Sequence, residues 1–191
     1  MSEYSNTAKN IKEWLENSPE RIDFKVNSLC DKDSLRQLRL TEESYLGYIT
    51  GYYSHLCVCD GYINLLCGQG TDSITTINAL DERGMPGLFP GALIIAYDTE
   101  GNLFALNGGV KASASLGNVL YLPKNSFYWE DLEIGYSSFL KWILGITAAE
   151  LEKNAWKECD GKIYVPDINT FLLGKAAAYN IFLKQGDSRN E

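Results

Sequence analysis

The sequence has one histidine, His55, and only two methionines and five prolines among 191 residues. A single histidine restricts acid–base and nucleophilic chemistry, because imidazole is the side chain that titrates near neutral pH without help. There is no G-x-S-x-G elbow, no P-loop and no G-x-G-x-x-G turn; Gly68-Gln69-Gly70 lacks the third glycine. Positive charge is also in short supply. Seventeen Lys and Arg against 25 Asp and Glu leave a net charge of -8. A chain of that sign repels phosphate backbones, so nucleic acid is not an expected partner. The longest apolar run, ALIIAY at 92–97, falls far short of the roughly 20 residues that cross a bilayer, so no membrane association is expected. The first ten residues, MSEYSNTAKN, hold no basic segment followed by an apolar one. The protein is therefore expected in the cytoplasm, with its five cysteines as free thiols.

What is present is an ordinary globular composition, 45% apolar and 22% charged. A chain of this length buries roughly two thirds of its unfolded surface without staples. Twelve tyrosines suit either sheet faces or a contact surface. Acidity serves solubility and also speeds encounter with a basic partner.

The most informative stretch runs from Leu88 to Trp142. ALIIAY and LFAL flank a DTEGN turn and predict a hairpin over 92–107. Asp60-Gly61 between SHLCVC and YINLLC predicts another over 54–67, through a type I′ turn. NVLYL is a further strand, stopped by Pro123. Tyr136, Phe139, Leu140 and Ile143 recur at i, i+3, i+4 and i+7 and predict a helix over 136–144. Helices are also expected over 7–17, capped by Asn6 or Thr7, over 31–40, capped by Asp31 or Asp33, and over 72–80, capped by Thr71 or Asp72. Two more are expected from Thr147 and from Asn169 or Thr170. Residues 45–52, rich in Tyr, Ile and Thr, read better as strand than helix. The expected fold is a single α+β domain over 1–191. Its core spans about 41–145, an antiparallel, meander-like sheet with helices at both ends (7–40 and 147–184) and a polar tail at 185–191.

Three constellations bear on function. His55, Cys57 and Cys59 share one strand face, and Cys67 lies across the hairpin, a donor set suited to zinc. Consecutive ligands on a flat strand stand about 7 Å apart, too splayed for a closed tetrahedral site, and cysteine is commonly buried. No metal, no cofactor and no Cys–His dyad are therefore expected there. Glu130, Asp131 and Glu133 beside Trp129 and Tyr136 suit paired-carboxylate chemistry, or simply complement the dipole of the following helix; the second reading is the plainer. Asn107-Gly108-Gly109 can present amides to an anion, but reads more simply as a turn. With no catalytic machinery in view, the expected function is protein binding through an acidic surface that holds Tyr128, Glu130, Asp131 and Glu133, with Trp129 and Phe139 packed inward. The alternative is a small-molecule-binding or enzymatic domain of unknown substrate.

GYINLLCGQG (61–70), LIIAYDTEGNLFALNGG (93–109) and NVLYLPKNSFYWEDLEIGYSSFLKWILG (118–145) together resemble an uncharacterised bacterial family, one of the domains of unknown function. The resemblance covers roughly 41–145. It departs at Tyr62, where members commonly carry Trp, and near Leu65, where they carry Arg. The order of strand, turn, strand, strand and aromatic helix is also similar to the SUKH superfamily. That resemblance implies an α+β immunity protein that neutralises a basic, nuclease-type secreted toxin and performs no reaction.

Overall fold

Asp60 and Gly61 both take positive φ, 55° and 87°, and the Tyr62 amide donates to the Cys59 carbonyl at 3.1 Å. This is the type I′ geometry expected of Asp-Gly, and it joins β2 (Tyr53–Val58) to β3 (Ile63–Leu65) as an antiparallel hairpin. The second expected hairpin pairs β4 (Ala92–Asp98) with β5 (Leu103–Asn107). Its turn is tied by the buried Asp98 carboxylate, which accepts from the amides of Glu100 and Asn102 and from the Asn102 side chain.

A computed structural model, describing residues 3–70, 72–146 and 168–184, builds these hairpins into one open seven-stranded sheet. Every pairing is antiparallel and the strands lie in chain order. The expected strand β6 (Asn118–Leu122) is present. Two strands are additional to the expectation, and both are edges: β1 (Ile22–Val26) and β7 (Glu130–Gly135). Edge strands need only one apolar face, so IDFKV and EDLEIG carry charges where the inner strands carry apolar runs.

The helices are α1 (Glu3–Asn17), α2 (Lys32–Leu38), α3 (Tyr45–Tyr52), α4 (Ile74–Ile77), α5 (Tyr136–Ile143) and α6 (Ile168–Lys184). Asp31 caps α2 as expected, accepting from the Ser34 amide at 3.0 Å. Three details differ from the expectation. α1 begins before Thr7, whose hydroxyl instead donates to the Glu43 carbonyl at 2.6 Å. α4 is capped by Ser73. Residues 45–52 are helix α3, not strand: Ser44 caps it, and tertiary packing overrides the β preference of Tyr, Ile and Thr. Gly47 and Gly51, one turn apart, permit that packing. A Cβ on Gly47 would overlap the Thr41 carbonyl, and one on Gly51 would press on Cys30 and Leu35. The helix expected from Thr147 and the tail at 185–191 lie outside the described residues.

The predicted face of α5 is fully used: Tyr136, Phe139, Leu140 and Ile143 are all buried. Phe139 meets Phe104 of β5 with ring centroids 5.2 Å apart, and Trp142 joins both. α6 enters the core through Tyr179, which sits on Phe89, itself edge-on to Trp129. No helix among the described residues is long and apolar enough to cross a membrane.

β3 is short, and its place beside Ile94 is taken by a side chain. Buried Asn78, just past α4, accepts from the Ile94 amide at 2.7 Å and donates to the Ile94 carbonyl at 2.8 Å. One amide side chain therefore serves both backbone groups that a longer strand would have paired.

Candidate functional site

The shortness of β3 also opens the sheet at one point. β2 begins at Tyr53 but pairs with β3 only at Cys57↔Asn64 and Val58↔Ile63. Towards Tyr53 the two segments part around a cleft of about 360 Å³, lined by Ser54, His55, Asn64, Gln69, Asp72 and Tyr97 among others. Cys67 also borders it. Its thiol is turned onto the Leu65 carbonyl at 3.7 Å, and burial pushes its pKa up to about 12.

The structure brings His55 and Cys57 together and adds a residue that has no counterpart in the expected set. Asp23 of β1 is the direct cross-strand partner of Cys57, and its Oδ2 lies 3.6 Å from His55 Nε2. The ligating atoms of Asp23, His55 and Cys57 all fall within 4.8 Å of one another. Cys59 and Cys67 do not join them. Cys59 donates to the Glu20 carboxylate at 3.4 Å. Asp23 escapes a sequence reading because its strand does. Chemically the trio is quiet. Burial raises the Cys57 thiol, with the Asp23 amide opposing that shift, so the sulfur stays protonated at neutral pH.

The Asn107-Gly108-Gly109 segment does not present free amides to an anion. Buried Asn107 accepts from the amides of Gly109 and Lys111 and donates to the carbonyls of Lys111, Ala114 and Ser115. The Gly108 amide goes to the Gly91 carbonyl. The segment is a self-satisfied turn that shapes the loop leading to β6.

The four acidic-surface residues lie on or beside β7. Tyr128, half-buried, stands edge-on to Phe182 of α6 at 5.3 Å. Trp129 and Phe139 pack inward as expected. Glu130 and Glu133 are exposed. Asp131 is committed elsewhere: its carboxylate accepts from the Asn118 side chain at 3.1 and 3.2 Å and from the Glu133 amide at 2.8 Å. The register jumps from Leu120↔Asp131 to Asn118↔Gly135, so residues 132–134 form a bulge with Glu133 at φ 57°. These acids belong to a strand that runs directly into α5, so they precede its N-terminus, and the first turn of α5 itself contains no acidic residue.

One buried cation was not singled out from the sequence at all. Lys175 of α6 is 8% exposed, and its ammonium reaches the Pro123 and Gly101 carbonyls. Burial lowers its pKa to about 8, against the pull of Asp98. Its neighbours in sequence, GKAAAY, give no sign of a partner 52 residues away.

The family model described as "Protein of unknown function DUF2625" matches residues 1–167. The chain is 29% identical over 171 residues to the uncharacterised protein YbfG of Escherichia coli (strain K12), covering 84% of this chain and 76% of that one. It is 23% identical over 175 residues to an uncharacterised protein of Haemophilus influenzae, covering 83% of this chain and 76% of that one. No solved structure matches the chain.

Proposed function

The chain belongs to the DUF2625 family, and we propose that it acts by binding a basic protein partner through the outer edge of β7, without catalysing a reaction. The observation that carries this reading is the division of labour among the acids of β7. Asp131 holds the bulge, while Glu130 and Glu133 project from it, exposed and outside any ion pair among the described residues. Tyr128 flanks them with a half-buried ring. A net charge of -8 accelerates encounter with a basic surface, and two carboxylates beside an aromatic ring supply local recognition. The similarity to the SUKH superfamily extends the proposal to the partner's class: a secreted toxin of nuclease type, which must be basic to hold its own substrate. The test is calorimetric titration of the chain with the product of the adjacent gene, at low and high salt. Glu130→Lys with Glu133→Lys is expected to weaken binding by about 100-fold, and salt to slow association of the unaltered chain. Unchanged affinity in the double variant would refute the surface.

The cleft beside His55 supports a second reading, a small-molecule-binding or enzymatic domain. Its concave, partly polar lining holds His55, Asp72 and Tyr97 within one space. Ligand-induced stabilisation that disappears with His55→Ala would favour this reading over the first.

A further inference from the structure

The two edges of the sheet are treated differently. β7 has three acids and a bulge at positive φ, devices that keep an edge from pairing with another strand. β1 has neither. Among the described residues it is paired on one side only, to β2, and it is regular over Ile22–Lys25, with the register shift falling between Lys25 and Val26. Its side chains alternate: Ile22, Phe24 and Val26 on one face, Asp23 and Lys25 on the other. Phe24 and Val26 are 45% and 52% exposed, and they border an apolar groove with Leu15, Tyr48 and Tyr53. An edge of this kind is a template for one more strand.

We propose that this strand is β1 of a second copy, paired antiparallel about a two-fold axis through Phe24, so that two sheets become one. The order of charges selects the occupant and the register. With Phe24 opposite Phe24 of the partner subunit, Ile22 faces Val26 of the partner subunit. Asp23 then faces Lys25 of the partner subunit, and Lys25 faces Asp23 of the partner subunit. The two-fold makes each contact twice, so the interface is self-complementary on both faces. Neighbouring registers fail. A slip that keeps the faces aligned sets Asp23 against Asp23 of the partner subunit, or Lys25 against Lys25 of the partner subunit. A slip that exchanges the faces sets charge against apolar side chain. Within one chain His55 approaches Asp23 only to 3.6 Å and leaves its side chain 82% exposed, so the carboxylate is open to a second cation.

The test uses sedimentation of the full-length chain and two single variants. The unaltered chain is expected to dimerise at micromolar concentration. Asp23→Lys opposes cation to cation and Lys25→Asp opposes anion to anion, and each is expected to weaken self-association at least about tenfold. Both positions are exposed, so circular dichroism should report an unchanged fold. Mixing the two variants one to one should restore a dimer, now a heterodimer, because every Lys again meets an Asp. The double variant D23K/K25D should restore the homodimer for the same reason. A monomeric unaltered chain, single variants that dimerise normally, or a mixture that stays apart would each overturn the proposal.

Discussion

Lys175 donates to the carbonyl oxygen of Pro123 at 2.8 Å, fastening the last described helix to the exit of strand β6. The same ammonium reaches the Gly101 carbonyl at 3.5 Å, in the turn that Asp98 organises. A charge buried at a junction of three segments makes the fold sensitive to alkaline pH, in a direction that can be worked out.

An unfolded lysine titrates near 10.4, whereas burial holds Lys175 at about 8. Between those values the unfolded chain binds more protons than the folded one, so this group makes stability rise with pH. Tyr53, Tyr97 and Tyr121 act oppositely. Burial pushes each up to about 12, against about 10 unfolded, so above that lower value the unfolded chain loses protons first and stability falls. Cys67 acts in the same direction as the tyrosines from lower pH: burial holds it at about 12, against about 8.5 unfolded, and Cys30 and Cys57 are raised likewise, so the thiols outweigh the single lysine from about pH 9. The urea midpoint should therefore fall from pH of about 9 and drop more steeply beyond about 10. Lys175→Met should make the fall between those values steeper. A variant with the original slope would refute the assignment.

Asn78 stands in for a missing length of β3 beside Ile94. Asn78→Ala strands a buried amide and a buried carbonyl, and should cost about 3 kcal/mol in equilibrium unfolding. Asn125→Ala, at an exposed turn position, should change stability by less than about 0.5 kcal/mol. Equal effects of the two substitutions would contradict the role given to Asn78.

The acids of β7 should separate by readout. Asp131→Ala removes acceptors for Asn118 and the Glu133 amide, and should destabilise the chain by about 1–2 kcal/mol. Glu130→Lys and Glu133→Lys should leave stability within about 0.5 kcal/mol while altering partner binding. Chemical denaturation of the three variants is the measurement. A stable Asp131→Ala protein would return that residue to the binding surface.

Protein purified without chelator should carry no stoichiometric zinc. Cys59 and Cys67 are turned to other partners, and Cys57 would have to lose a proton that burial retains. Elemental analysis decides this directly; one zinc per chain, lost on Asp23→Ala, would show the trio to be a metal site.

Features written in local chemistry were legible in the sequence. Asp60-Gly61 specified its own turn, DTEGN another, and the spacing of Tyr136, Phe139, Leu140 and Ile143 a buried helix face. Features set by distant neighbours were not. Residues 45–52 read as strand because Tyr, Ile and Thr favour extended backbone, yet Gly47 and Gly51 exist to let α3 approach Thr41 and Leu35. β1 and β7 are half-charged because each has only one neighbouring strand, and that pattern hides them from a search for apolar runs. Asp23 was hidden with β1, and Lys175 shows no local trace of Pro123.

The order of strands carries a consequence for how the chain is made. Within β2–β3 and within β4–β7 each strand closes onto the one synthesised just before it, so these parts of the sheet can grow hairpin by hairpin as the polypeptide leaves the ribosome. Three closures cannot proceed that way. β1 must wait through α2 and α3 before β2 exists to receive it, β3 must wait through α4 for β4, and the ends of β4 and β6 wait for α6, the last described helix. A nascent chain is therefore open at these three places for longest, and there a chaperone or a premature partner would find it.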